Sequence, residues 1–266
     1  MHGRGCPRLG FEASILACLP PHENIVHLHG WSAGFLENPK QGFLLLDRLA
    51  QTLSFRLYRL KVSKNLQAPS GMPSGKRRLG FFKNRAQHQI DRMREQRQRI
   101  RHIGLGVARA MEVLHSHNVI YRDLKPQNVG FDETDTVRLF DFGLARILKT
   151  TTDNAPERRL TGFTGTARYM APEVARSEHY YYSSDVHMFA IMLWEVITLE
   201  RPHASFDSLD ILFKKAVHGN ARPSTRNISS KSIKEVLEIC WHPDPSARPS
   251  FGLIVKQLEQ ETATTV

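Results

Sequence analysis

Cysteine is scarce: Cys6, Cys18 and Cys240 are the only three in 266 residues. An odd, widely scattered set gives neither a disulfide framework nor metal-ligand spacing, and points to a reducing compartment inside the cell, cytoplasmic or nuclear. Long apolar runs are missing as well. No stretch approaches the roughly 20 residues that cross a bilayer, so no transmembrane segment is expected. The chain is 41% hydrophobic and 24% charged, an ordinary balance that excludes a mostly disordered or collagen-like protein. No internal repeat is present.

Acidic residues are lacking in one place above all. From Arg56 to Arg101, 14 Lys and Arg stand against two acids, Asp91 and Glu95, so the net charge of +11 is concentrated there. A basic segment of this kind suits contact with a polyanion or a partner through 56–101, whether nucleic acid, anionic lipid or an import receptor. The plainer alternative is a solvated face. Hydrophobic periodicity is also lost from Leu60 to Ile90, where Pro69, Gly71, Pro73, Ser74 and Gly75 lead into Lys76-Arg77-Arg78. That stretch reads as a long solvated loop.

Regular elements are legible around it. Ala13 to Leu19, opened by Glu12 and closed by Pro20-Pro21, reads as an amphipathic helix, too short and too acidic at its start for a signal peptide. Ile25 to Leu28 and Phe43 to Leu46 flank Asn38-Pro39 and Gly42 and predict a β-hairpin. Ile100, Ile103, Val107, Ala110, Met111 and Leu114 mark one face of a helix to about His115. Val129 to Phe131 and Val137 to Phe140 predict a second hairpin. Ser183-Ser184-Asp185 opens an apolar helix through Ile197, with Ser or Asp as its cap. Weaker helical patterns cover Leu209–Val217, Ile233–Cys240 and Phe251–Leu258.

Chemistry concentrates in Tyr121-Arg122-Asp123-Leu124-Lys125-Pro126-Gln127-Asn128, a loop that Pro126 keeps irregular. A carboxylate, an ammonium and an amide lie within six positions. Asp141-Phe142-Gly143 follows Asn128 by thirteen residues, and Ala171-Pro172-Glu173 lies thirty further on. Phosphoryl transfer uses such a set: a carboxylate for the attacking hydroxyl, a cation for the moving phosphate, oxygen ligands for divalent metal. Asp-Phe-Gly alone occurs often in surface turns, whereas the motifs together at this spacing are specific.

On these motifs the chain resembles the eukaryotic protein kinase family from Phe11 to Leu258. The resemblance implies an α+β, bilobal protein kinase-like fold, with a truncated small β lobe plus a complete, mainly helical large lobe. Residues 11–49 would form the partial small lobe and hinge, 50–99 a basic insert region and 100–260 the large lobe of one domain over 1–266. The family's catalytic Asp would be Asp123, its phosphate-contacting lysine Lys125, and its ligands for Mg2+ Asn128 and Asp141. Leu46 falls at the gatekeeper, and Asp47 to Leu49 at the hinge that receives the adenine of ATP. Asp185 would open the central helix, and Arg248 would pair with Glu173. Thr166, in Gly165-Thr166-Ala167-Arg168-Tyr169-Met170, would bond Asp123 and Lys125. That loop and Lys125 resemble Ser/Thr kinases acting on protein substrates, and Trp194-Glu195 with Arg201-Pro202 resembles the tyrosine-kinase-like branch.

Departures from the pattern are also present. Tyr121 stands where the family has His. No Gly-x-Gly-x-x-Gly hairpin and no strand lysine precede the first helix; Gly3, Gly5 and Gly10 beside Pro7 are a chance match. Glu12 would therefore lack its lysine partner, and the 266-residue chain alone would be a poor kinase. A kinase-like scaffold without activity, or a piece of a longer kinase with a misassigned start, are the alternatives. A small-molecule phosphotransferase is disfavoured by Ala171-Pro172-Glu173 and Asp244 to Arg248. Phosphate on Thr150, Thr151, Thr152, Thr161 or Thr164 would meet Arg122. His22, His27, His29, His115 and His117 read as surface or core histidines without metal.

Overall fold

The computed structural model describes residues 7–32, 42–66, 78–148, 162–178 and 181–263. Helix α1 (Pro7–Cys18) buries Ala13, Ile15 and Leu16 and ends before Pro20-Pro21. Strands β1 (Leu28–Trp31) and β2 (Leu44–Leu46) pair antiparallel, Leu28 opposite Leu46 and Trp31 opposite Leu44. The first hairpin thus exists, but its first strand lies three residues beyond the expected Ile25. The reason is burial. Ile25 and Val26 are taken into the core, where Val26 N–H donates to Leu139 O (2.9 Å) and Leu139 N–H to Asn24 O (2.8 Å).

Strand β3 (Gln51–Thr52) leads directly into α2 (Leu53–Leu66). Helix α3 (Arg78–Arg99), a π-helical turn (Ile100–Gly104) and α4 (Leu105–Ser116) then form one continuous helical path. The expected loop over Leu60 to Ile90 is therefore corrected at both ends; its Pro/Gly-rich centre and Lys76-Arg77 lie outside the described residues. Two causes hid these helices. Helix α2 is apolar on both sides, Leu53 and Leu57 inward, Phe55, Tyr58 and Leu66 outward, which erases the amphipathic signal. From residue 87 to 99 of α3 only Gln96 is buried, and it anchors by polar contacts: Nε2 donates to Asn227 O (2.7 Å) and Oε1 accepts from Ser229 N–H (2.9 Å).

Strand β4 (Val119–Ile120) pairs with β7 (Arg146–Ile147), and β5 (Val129–Phe131) lies between β3 and β6 (Val137–Leu139). Gly106 lets α4 lie against β6, since a Cβ there would come within 2.3 Å of Val137 Cγ1. Helix α5 (Pro172–Ala175) precedes α6 (Tyr182–Thr198), which is buried at every residue from Ser184 to Thr198 and forms the centre of the core. Neither Ser nor Asp caps α6; the helix starts at Tyr182, so Ser183 to Asp185 lie inside its first turn and the cap position is Tyr181, without a side-chain bond. Helices α7 (Leu209–Leu212, continued by a π-turn to His218), α8 (Lys231–Cys240) and α9 (Phe251–Ala263) complete the fold. Phe251 of α9 packs edge-on against Phe189 of α6 at 5.3 Å. The mainly helical α+β architecture is as expected, and among the described residues no helix is long and apolar enough to cross a membrane.

Candidate active site

Two loops carry the chemistry, and the strand pairing brings them together. The loop 121–128 joins β4 to β5, while 140–145 joins β6 to β7. Because β4 pairs with β7 and β5 with β6, both loops cross between the same two sheets and run side by side. Phe140 N–H donates to Asn128 O (3.1 Å) and fastens one to the other.

Asp185, fully buried, holds the base of the first loop. Its carboxylate accepts from the N–H groups of Tyr121 and Arg122 (2.8 Å each) and lies 3.0 Å from His115 Nε2. These bonds hold Arg122 at φ +74°, a left-handed conformation a non-glycine residue needs support to keep. Asp123 is displayed just beyond. Its Oδ1 accepts from Thr166 N–H and Oγ1 (3.1 Å each), and its Oδ2 from Lys125 Nζ (2.6 Å) and Asn128 Nδ2 (3.1 Å). Lys125 Nζ also donates to Thr166 Oγ1 at 3.0 Å. The expected Thr166 bridge between Asp123 and Lys125 is present. One carboxylate, one ammonium, one amide and one hydroxyl thus form a closed, partly buried cluster.

Asp141 stands at φ +61° and is exposed, and among the described residues its Oδ1 accepts only a long bond from Gly143 N–H (3.4 Å). Asn128 Nδ2 donates to Asp123 O and Oδ2 (3.0 and 3.1 Å), and its side chain also meets the Tyr121 hydroxyl. Two oxygen donors from neighbouring loops fit a hard divalent cation such as Mg2+. Phe142 beneath them is fully buried, 5.4 Å edge-on from Tyr121. The Tyr121 hydroxyl donates to Phe140 O, and burial, with Asp141 and Asp123 nearby, pushes its pKa well above 10.0, so it stays a neutral donor. Tyr121 therefore supports both loops at the position where the family has His.

Glu12 is not left without a partner: Oε1 accepts from Phe142 N–H at 3.0 Å. Burial raises its pKa, opposed by that bond, and Asp141 raises it further. The sequence held no signal for a backbone partner 130 residues away. In the segment expected to be the hinge, Ala50 N–H donates to Phe131 O (2.7 Å), and Thr52 lies opposite Gly130, which sets 47–50 beside the strand that follows Asn128. Leu49 fills the room left by Gly130, where a Cβ would meet Leu49 Cδ1 at 2.7 Å. Leu46 closes β2 and packs on the core. The Asp47 side chain points back to the hairpin, to His27 N–H (2.9 Å), His29 Nε2 (2.8 Å) and Arg138 Nη1 (3.2 Å). Burial raises its pKa, but these donors outweigh that and hold it below 3.8. Sequence reading missed this use of His27 and His29, though their i, i+2 spacing was the available sign.

Farther down, Arg248 grips Glu173 with two bonds (2.6 and 3.0 Å), both side chains buried, as expected. Among the described residues no cluster of His, Cys, Asp and Glu suits a transition metal. Thr150, Thr151, Thr152 and Thr161 lie outside the described residues.

Comparison with known proteins agrees with this geometry: the pattern described as protein kinase domain matches residues 7–260. The chain belongs to the protein kinase family. It is 37% identical over 158 residues to serine/threonine-protein kinase STY17 of Arabidopsis thaliana, covering 59% of this chain and 26% of that one. A probable serine/threonine-protein kinase of Dictyostelium discoideum is 35% identical over 249 residues, 93% of this chain and 15% of that one. The dual specificity protein kinase shkA of the same organism is 37% identical over 149 residues, 55% of this chain and 28% of that one. This kinase-family chain thus spans about a quarter or less of the length of these relatives.

Proposed function

We propose that this kinase domain transfers the γ-phosphoryl group of ATP to a serine or threonine hydroxyl of a protein. The observation that carries the reading is the Asp123–Lys125–Thr166 cluster, in which every polar group is already oriented before substrate arrives. Preorganised charge of this sort is how phosphoryl transfer is accelerated, since positioning and electrostatics supply nearly all of the effect.

Asp123 orients the acceptor hydroxyl and takes its proton as the new P–O bond forms and the bond to the departing ADP breaks. Lys125 neutralises charge on the moving phosphate. Asn128 and Asp141 would hold Mg2+, which when bound would offset the charge of the phosphates. The backbone of 47–49 receives adenine, with Leu46 at the back of the cleft and Leu49 on its floor. Thr166 ties the substrate-facing segment to both catalytic groups, which supports Ser/Thr over Tyr as acceptor. A kinase-like scaffold without activity is not favoured, because each catalytic-loop residue is present and bonded.

The domain reading is 11–49 for the small-lobe portion and hinge and 100–260 for the large lobe, with the basic region 56–101 a contact for polyanion or partner. The scattered cysteines, Cys18 and Cys240 among them free thiols, suit cytosol or nucleus. Incubation with ATP, Mg2+ and mixed Ser-, Thr- and Tyr-containing peptides, followed by phosphoamino-acid analysis, tests the reading. Phosphoserine or phosphothreonine that disappears with Asp123→Asn supports it. Phosphotyrosine alone, or signal unchanged by that substitution, overturns it.

A further inference from the structure

Between α2 and the helical path of α3 with its π-turn lies a cleft of about 470 Å3 that includes none of the residues assigned to phosphoryl transfer. Small-molecule sites run from about 300 to 1,000 Å3, so the size is sufficient. Its apolar floor is Leu60, Ile103 and Leu199. Arg56, Lys64, Arg99 and His102 stand around that floor, against two acids.

Both acids are already engaged. Asp135 takes the Arg56 guanidinium and lies 3.5 Å from His102 Nε2, while Glu95 lies 3.5 Å from Arg99 Nη1. Positive charge is left over. Lys64 has no ion-pair or hydrogen-bond partner among the described residues. Arg99 donates through Nη2 to Ile197 O (3.0 Å), but its Nε is buried with no hydrogen-bond partner among the described residues. Burial also pulls the Arg99 pKa below its ordinary value, only partly offset by Glu95, so the folded chain holds this cation against a desolvation cost that a nearby anion would relieve. Ser63 and Gln98 add neutral donors to the lining. A splayed pair of helices also leaves surface clefts. What distinguishes this one is uncompensated charge, an orphaned buried donor and an apolar floor together.

We propose that this cleft binds a small anionic ligand, a phosphate or carboxylate carried on a compact apolar body. The anion lies between Lys64 and Arg99, and the apolar body lies on Leu60 and Leu199. A soluble metabolite and a lipid headgroup share this chemistry.

Phenyl phosphate is the soluble probe, titrated into the full chain by calorimetry with excess ADP present to fill the nucleotide cleft. Vesicles of phosphatidylcholine with and without phosphatidylserine are the second probe. Phenyl phosphate should saturate and bind about tenfold or more tighter than phenol. Lys64→Met should weaken it about tenfold, and Ser63→Trp, filling the cleft from an exposed position, should abolish it. Sedimentation with phosphatidylserine vesicles alone, lost in both variants, would equally support the site and assign a headgroup as its source. Arg99 is left intact because its bond to Ile197 O is structural. Failure of both probes to bind, binding that survives both substitutions, or phenyl phosphate binding seen only without ADP would each overturn the proposal.

Discussion

At the scale of single residues, the site works by leaving its charged groups few alternatives. Asp123 receives four donors from three residues, so replacing one oxygen by an amide puts a donor where Thr166 and Lys125 already donate. Asp123→Asn should lower turnover by on the order of 10²-fold or more while leaving nucleotide binding within a few-fold, read from steady-state kinetics. Asp132 offers a test in pH. Burial alone would raise its pKa, but the Thr134 hydroxyl, Arg138 and the Thr136 and Thr134 N–H groups outweigh that and bring it from 3.8 to about 2. A carboxylate depressed on folding stabilises the protein above its unfolded pKa, and that contribution fades as pH falls from 3.8 toward 2. The difference in thermal midpoint between the parent and Asp132→Asn should therefore be full near neutrality and shrink through that window. A gap unchanged by acid would show that the bonds act without the charge.

At the scale of elements, the two helices hidden in the sequence make opposite demands. Helix α3 is tied down by Gln96, whose substitution by Ala leaves Ser229 N–H without its acceptor and Asn227 O with Arg92 as its remaining donor. Loss of buried bonds of this type costs about 1–3 kcal/mol, so Gln96→Ala should lower the thermal midpoint and speed amide exchange along α3. Exchange unaltered in α3 would mean that Arg92 and Arg97 carry the attachment. The β1–β2 hairpin has the reverse problem, since Trp31, Phe43 and Leu45 stand 48%, 63% and 58% exposed on a two-stranded sheet. A short sheet with apolar side chains outward invites edge pairing between molecules. Leu45→Lys should reduce light scattering at high concentration with little change in thermal midpoint. Scattering that stays the same would place the sticky surface elsewhere, the outward side of α2 being the next choice.

At the scale of the whole molecule, the core is α6 with α4, α8 and α9 around it, and Arg248–Glu173 pins the segment after the active site to that core. Arg248 also donates to His242 O (2.9 Å) and Ser183 O (2.9 Å), so the buried guanidinium is well supplied with acceptors. Removing one partner leaves the other charge buried. Glu173→Ala should cost roughly 3–5 kcal/mol in denaturant unfolding, and Glu173→Ala with Arg248→Met together clearly less than the two single losses added. Additive losses would show that the two side chains act independently.

The sequence by itself determined the family and which residues meet in the two loops. Asp123, Lys125, Asn128 and Asp141 were legible because their motifs are local, and α4, α6, α8 and α9 because an apolar face at helical spacing is a local pattern. Tertiary structure decided what depends on distant partners. Ile25 and Val26 had the composition of a strand, yet the core claimed them and moved β1 three residues on. Helix α2 is apolar on opposite faces and α3 is held by polar atoms, so neither carries the periodicity that reveals a helix. Glu12 was read as lacking a partner because a partner was sought among side chains. Its carboxylate takes the Phe142 N–H instead, and a backbone donor is carried by almost any residue and leaves no mark in a sequence.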